Sequence, residues 1–139
     1  MDVQTASFNR PFRQDPQSNL SISIKEDICE VTFRVWDLDG QEIEGVRGRV
    51  SFDHGWACEY VMLEIYSYPE QKELCSSDIF LWKLTQSSWL TEKIDQRTKI
   101  YPTWLNQDRR EYFHFLIEGH DNYIEVIASG FKIDLITQV

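Results

Sequence analysis

The sequence predicts a mainly β fold: an antiparallel β-sandwich or partly open barrel of about seven strands with one short helix. Three observations carry this expectation. Apolar residues recur at every second position through Ile28–Trp36, Ala57–Tyr66 and the stretch from Phe113 onward, as strands with one buried face require. Turn dipeptides, Asp39-Gly40 above all, separate such runs and favour hairpins. Only the segment after Gln86 breaks the alternation and spaces its apolar residues for a helix. The alternative is an α+β arrangement, one twisted antiparallel sheet with the helix packed on it.

The chain divides into an arm, residues 1–19, and a single β-rich domain, residues 20–139. The arm is polar, contains Pro11 and Pro16, and offers Phe8 and Phe12 as its large apolar side chains. It reads as flexible, pinned by those two rings. In Ile28–Trp36, Cys29, Val31, Phe33 and Val35 share one face, and Glu30, Thr32 and Arg34 the other. A two-residue turn at Asp39-Gly40 would set Phe33 against Val46, Cys29 against Val50, Glu30 against Arg49 and Thr32 against Arg47. Gly45 and Gly48 mark a bulge or tight twist on the returning strand. Val61, Leu63 and Ile65 line one face of the next strand, with Tyr60 and Met62 on the other. Asp78–Leu84 is apolar on both faces and suits a doubly covered strand. Ser87 or Ser88 can cap a helix over Ser88–Arg97, with Leu90 and Ile94 one turn apart, and Pro102 discourages helix at the residues before it.

The C-terminal third reads as a three-stranded meander. A turn at His120-Asp121 pairs Phe113 with Ala128, Phe115 with Val126 and Ile117 with Ile124. A second turn at Ser129-Gly130 pairs Val126 with Ile133 and Ile124 with Leu135. On the opposite face this register puts Glu125 directly across from Asp134, with His114 diagonal to Glu125. Facing carboxylates repel and a neighbouring histidine titrates near neutrality, so His114, Glu125 and Asp134 are candidate binders of a cation or a basic partner group. Leu116, Ile127 and Ile136 share that face, which the helix or a partner could cover.

Charge narrows the function. The 139 residues carry 14 basic and 23 acidic side chains, net −9. Phosphate neutralisation needs the opposite balance, so nucleic acid is not an expected partner, and neither is an anionic membrane surface. No run reaches the length of a membrane span, and residues 1–19 lack the apolar core of a secretory signal. Cys29, Cys58 and Cys75 form no C-x-x-C pair and fit a reducing cytoplasm. No sequence motif assigns a catalytic residue, a metal site or a cofactor. Glycine-rich phosphate loops and the G-x-S-x-G elbow are absent from the sequence. His54 beside Asp53 and His120 beside Asp121 read as turn residues rather than acid–base pairs. The string Val35-Trp36-Asp37-Leu38-Asp39 resembles the aspartate-bearing loop of C2 domains. The other aspartates of such loops have no counterpart here, so a plain hairpin turn is expected.

Several aromatics fall outside the apolar stripes. Trp36, Trp56, Tyr60 and Trp104 are the candidate binding rings, since Trp and Tyr concentrate energy at interfaces. The functional expectation is a small acidic intracellular module that binds a basic protein partner, with homodimerisation as a further use of the same rings. Small bacterial immunity and antitoxin proteins are similar to it in composition. The alternative is a small enzyme or ligand carrier with a His/carboxylate site in a β cavity.

Overall fold

The computed structural model describes residues 5–8, 10–62 and 72–138. Within them the chain forms β1 (Thr5–Phe8), β2 (Arg13–Gln14), β3 (Ser21–Lys25), β4 (Ile28–Phe33), β5 (Val35–Trp36), β6 (Val46–Asp53), β7 (Ala57–Val61), β8 (Lys72–Leu74) and β9 (Leu81–Leu84), then helix α1 (Ser88–Ile100), a 3-10 turn (Trp104–Asn106), β10 (Phe113–Glu118), β11 (Tyr123–Ala128) and β12 (Gly130–Gln138). The twelve segments exceed the expected seven because several are only two to four residues long.

Two five-stranded antiparallel sheets stack as a sandwich, ordered β1-β12-β6-β4-β3 and β7-β11-β10-β9-β8, with β2 and β5 as a small third sheet. Their facing stripes make the main core. Cys29, Val31, Phe33, Val50, Phe52 and Leu135 come from the first sheet, and Leu81, Phe115, Ile117, Ile124 and Val126 from the second. Phe52 meets Phe115 with ring centroids 5.5 Å apart. Of the expected core, Phe33, Val35, Phe115 and Val126 are fully buried, while Val61, Phe113 and Ile133 are half-buried. Leu63 and Ile65 lie outside the described residues.

The second sheet is covered on both sides. Its outer face lies under α1 and the 3-10 turn, where Trp104, Tyr112 and Ile127 pack with Trp89, Leu90 and Ile94. Ser87 caps α1, its Oγ accepting from the Leu90 N–H at 3.0 Å. The helix runs to Ile100, three residues beyond the expected end, and stops at Tyr101 before Pro102. Strand β9 is doubly covered as expected, with Leu81 in the main core and Leu84 in the cluster beneath the helix side.

Two expectations need correction. The β4–β6 register is shifted by two residues, pairing Phe33 with Gly48, Val31 with Val50 and Cys29 with Phe52. Between the Trp36–Glu42 bridge and the Phe33–Gly48 pair the outgoing chain takes three steps and the returning chain six. The surplus is the bulge that contains Gly45, at φ 71°. A shift of two keeps every side chain on its expected face. Thr32 therefore faces Arg49 rather than Arg47, and Arg49 reaches Glu30 only diagonally, at 3.8 Å.

The second correction concerns the meander. The β10–β11 register is as expected, but β11 and β12 do not pair. Gly130 is not among the glycines with positive φ, so Ser129-Gly130 makes no two-residue hairpin. The chain instead crosses to the other sheet, where β12 lies between β6 and β1. The neighbouring strand pair crosses with it, from β6 to β7 through His54 at φ 53°. The Ser129 N–H donates to the Asp53 carbonyl at 2.9 Å and ties the two crossings together.

In the segment 1–19, the described residues contact the sandwich, with Phe8 and Phe12 as the expected pinning rings. Strand β1 pairs with β12, and Phe8 and Phe12 pack against the core. Gln14 is buried, donating to the Glu118 carbonyl at 2.7 Å and accepting from the Phe80 N–H at 2.8 Å. Its side chain satisfies backbone groups at the end of the sandwich.

Candidate functional site

Strand alternation sends His114 and Leu116 of β10, Tyr123, Glu125 and Ile127 of β11, and Ala57, Glu59 and Val61 of β7 toward the helix side. Register then fixes their neighbours. Glu125 stands directly opposite Glu59, and His114 opposite Ile127. His114 is therefore diagonal to Glu125, and its Nε2 lies 2.9 Å from Glu125 Oε1. His114 is 1% exposed and Glu125 2%. On the other ring edge, His114 Nδ1 lies 2.5 Å from Ser87 Oγ. Trp89, the second residue of α1, covers the imidazole with centroids 4.7 Å apart. The result is a chain of polar groups, Glu59–Glu125–His114–Ser87, running from the sheet edge to the head of α1.

Electrostatics follows from this packing. Desolvation, the hydrogen bond to Glu125 and the charge of Glu125 push the Glu59 carboxyl above its ordinary range, with Lys93 and His114 partly opposing them. A carboxylate accepting from His114 Nε2–H leaves Nδ1 as the acceptor for the Ser87 hydroxyl proton. Among the described residues, no group of three or more His, Cys, Asp or Glu side chains is placed to hold a metal ion.

The expected residues divide sharply. His114 and Glu125 meet as the diagonal argument requires. Asp134 is in the other sheet, paired with Arg49 across β12 and β6. It accepts from Arg49 Nε at 2.9 Å, Arg49 Nη2 at 2.6 Å and Ser7 Oγ at 2.6 Å. The carboxylate facing Glu125 is Glu59. The expected chemistry, two facing carboxylates with a histidine diagonal to one, is present with a different second acid.

The rings also separate. Trp104 is buried, and its Nε1–H donates to Thr98 Oγ1 at 2.9 Å. Arg97 stacks over Trp104 at 4.1 Å and lies 5.2 Å from the Trp56 ring, and Trp56 meets Tyr112 edge-on at 5.9 Å. Asp108 anchors Arg97 at 3.1 Å, so these rings enclose a cation from their own chain. Trp36 is half-buried, pairing with Arg13 and bridging Glu42. Tyr60 is 41% exposed but points away from the helix side, its hydroxyl held by Asn122 at 3.0 Å. Asp37 Oδ1 accepts from the N–H groups of Asp39 and Gln41, the plain turn expected of the C2-like string. His54 pairs with Asp27 at 3.0 Å rather than with its neighbour Asp53.

Beside the polar chain an open groove of about 690 Å³ lies between α1 and β7. Its walls include Trp56, Trp89, Ile100 and Tyr101, with Glu59 and Lys93 among its polar groups. A second, smaller pocket of about 90 Å³ opens at the other end, where Ser87 and His114 line it with Leu84 and Trp89.

Sequence reasoning missed Glu59 and the role of Ser87. Glu59 had a signal: it interrupts the Ala57–Val61 stripe with a charge. Ser87 was visible as a cap, but nothing local connects it to a histidine 27 residues later.

The architecture thus defines a two-sheet antiparallel sandwich with a helix roofing one face. Comparison with family models, curated proteins and solved structures finds no match for this chain.

Proposed function

We propose that the protein is a small acidic binding module that takes a basic segment of a protein partner into the groove between α1 and β7. The observation that carries this reading is Glu59, an exposed carboxylate set directly against the buried Glu125. A lysine or arginine from a partner relieves that repulsion, and net charge −9 speeds the encounter. Ile100 and Tyr101, 69% and 65% exposed, border the groove beside half-buried Trp56. Such rings supply contact area around a salt bridge. Arg97, a cation of the groove wall, is already engaged by Asp108. Three free thiols go with a cytoplasmic setting, and among the described residues no helix is long and apolar enough to cross a membrane.

Calorimetric titration with a Lys/Arg-rich peptide and its Glu-substituted counterpart tests the reading. The basic peptide should bind, less tightly as salt rises, and Glu59→Gln or Tyr101→Ala should each weaken it about tenfold. Equal binding of both peptides, or indifference to both substitutions, would exclude the groove as the site. Light scattering of the free protein separates a partner-binding monomer from a homodimer through the same face.

A further inference from the structure

We propose that Ser87, His114 and Glu125 form a nucleophile–base–acid relay that hydrolyses esters of short acyl groups. The proposal concerns the opposite end of the polar chain from the groove and shares Glu125 with it.

Four observations converge. First, the hydrogen bonds run in sequence, 2.5 Å from Ser87 Oγ to His114 Nδ1 and 2.9 Å from His114 Nε2 to Glu125 Oε1. Second, both supporting groups are buried, which makes their bonds stiff and excludes competing water. A helix cap needs only the serine; a buried His–carboxylate pair behind it is a costly addition that adds little stability by itself. Third, Ser87 sits in a strand-to-helix turn between β9 and α1, immediately after Gln86 at φ 55°. A non-glycine residue whose backbone is in the left-handed region marks a turn held by its surroundings, and such turns gather at working sites. Fourth, the serine opens a pocket of about 90 Å³ lined by His114, Trp89 and Leu84. Its apolar walls, Trp89 and Leu84, favour a short acyl chain beside the serine. The first N–H groups of α1, at Ser88 and Trp89, have no intrahelical acceptors, and both residues line this pocket, at the end of the helix that favours developing negative charge.

The chemistry balances with water as the only co-reactant. Ser87 Oγ bonds to the acyl carbon of the ester as its proton passes to His114 Nδ1. Glu125 holds the ring so that Nδ1 is the basic nitrogen and stabilises the imidazolium. The tetrahedral intermediate collapses, the carbon–oxygen bond to the alcohol breaks, and the alcohol leaves with the proton from Nδ1. Water then attacks the acyl-serine, giving its proton to Nδ1. The acid departs and the proton returns to Ser87 Oγ.

The test is incubation of the full chain with p-nitrophenyl acetate, p-nitrophenyl octanoate and a fluorophosphonate, followed by intact-mass and peptide mapping. The acetate ester should be turned over in preference to the octanoate, and the fluorophosphonate should modify Ser87 once per chain. Ser87→Asn retains a helix-capping side chain but no nucleophile, and should reduce both signals to background. His114→Gln should lower the acylation rate by about 10²–10⁴-fold. Circular dichroism and thermal melting identify any variant that fails to fold, in which case labelling of the wild-type chain decides alone. Unmodified Ser87 in folded wild-type protein, or ester turnover that persists in Ser87→Asn, overturns the proposal.

Discussion

Glu59 and Glu125 face one another across β7 and β11, one exposed and one 2% exposed. Like charges in this position destabilise a sheet by a few tenths to about 1 kcal/mol. Glu59→Gln should therefore stabilise the isolated protein by about that much at neutral pH. The raised folded-state pKa of Glu59 sets the sign of its pH dependence. From the unfolded value, about 4.3, up to the folded value, the native state binds more protons and stability falls as pH rises. Denaturation midpoints across mildly acidic pH should show that slope in the wild type and a shallower one in Glu59→Gln.

Asp134→Asn should do the reverse. Had Asp134 faced Glu125, losing its charge would have relieved strain. It instead completes a bidentate pair with Arg49 at 2.6 and 2.9 Å, so the change should cost about 1–3 kcal/mol. Burial alone would raise this carboxyl; the bonds from Arg49 and Ser7 and the charge of Arg49 outweigh it and leave the pKa lowered. The contribution is present above the unfolded value and lost as pH falls through the folded one. Urea denaturation of the variant at neutral pH gives the cost directly.

Asp108 joins the end of α1 to the segment before β10. Burial would raise its pKa, but hydrogen bonds from the Tyr112 hydroxyl, the Arg110 N–H, and the Arg97 and Arg110 guanidinium groups bring it to about 2. Its stabilisation should be complete above the usual carboxylate value of about 3.9 and lost as pH falls toward 2. Asp108→Asn should cost on the order of 1–3 kcal/mol at neutral pH and flatten the acid limb of the stability curve. Unchanged melting at both ends of that range would mean the cluster holds nothing together.

Gly48→Ala tests the shifted β4–β6 register. A Cβ at position 48 would lie 2.3 Å from Phe33 Cε2 and 2.8 Å from Val35 Cγ1, both in fully buried side chains. Overpacking of this kind costs about 1–3 kcal/mol. Had Val46 faced Phe33, Gly48 would have lain beyond the pair and the substitution would be mild.

What the sequence made legible was which side of each strand is buried. Cys29, Val31 and Phe33 point inward, as do Phe115 and Val126, because period-two alternation is a local property. Which strand lies alongside is not local. The stripe Phe131–Ile133–Leu135 fills the same core whether it extends the β10–β11 hairpin or faces it from the opposite layer, so apolar matching could not separate the two. The diagonal between His114 and Glu125 was legible because one short turn fixed it. Its extension to Asp134 failed where the chain changed sheets, and Glu59 took that place through a pairing 66 residues apart in sequence. The Arg97 box around Trp56 and Trp104 stayed hidden for the same reason, since α1 had to be docked before those rings could be seen as covered.

The paired crossings make the two layers inseparable. Strands β6 and β7 form one bent ribbon, β11 and β12 another, and the ribbons stay hydrogen-bonded on both sides of the corner. Neither layer can leave the other without tearing the ribbons that build both. Amide protons of Val50 and Cys58, in different sheets, should thus exchange through the same global opening rather than layer by layer. Since those pairings join segments far apart in sequence, assembly should be slow for a chain of this size, on a scale of milliseconds to seconds.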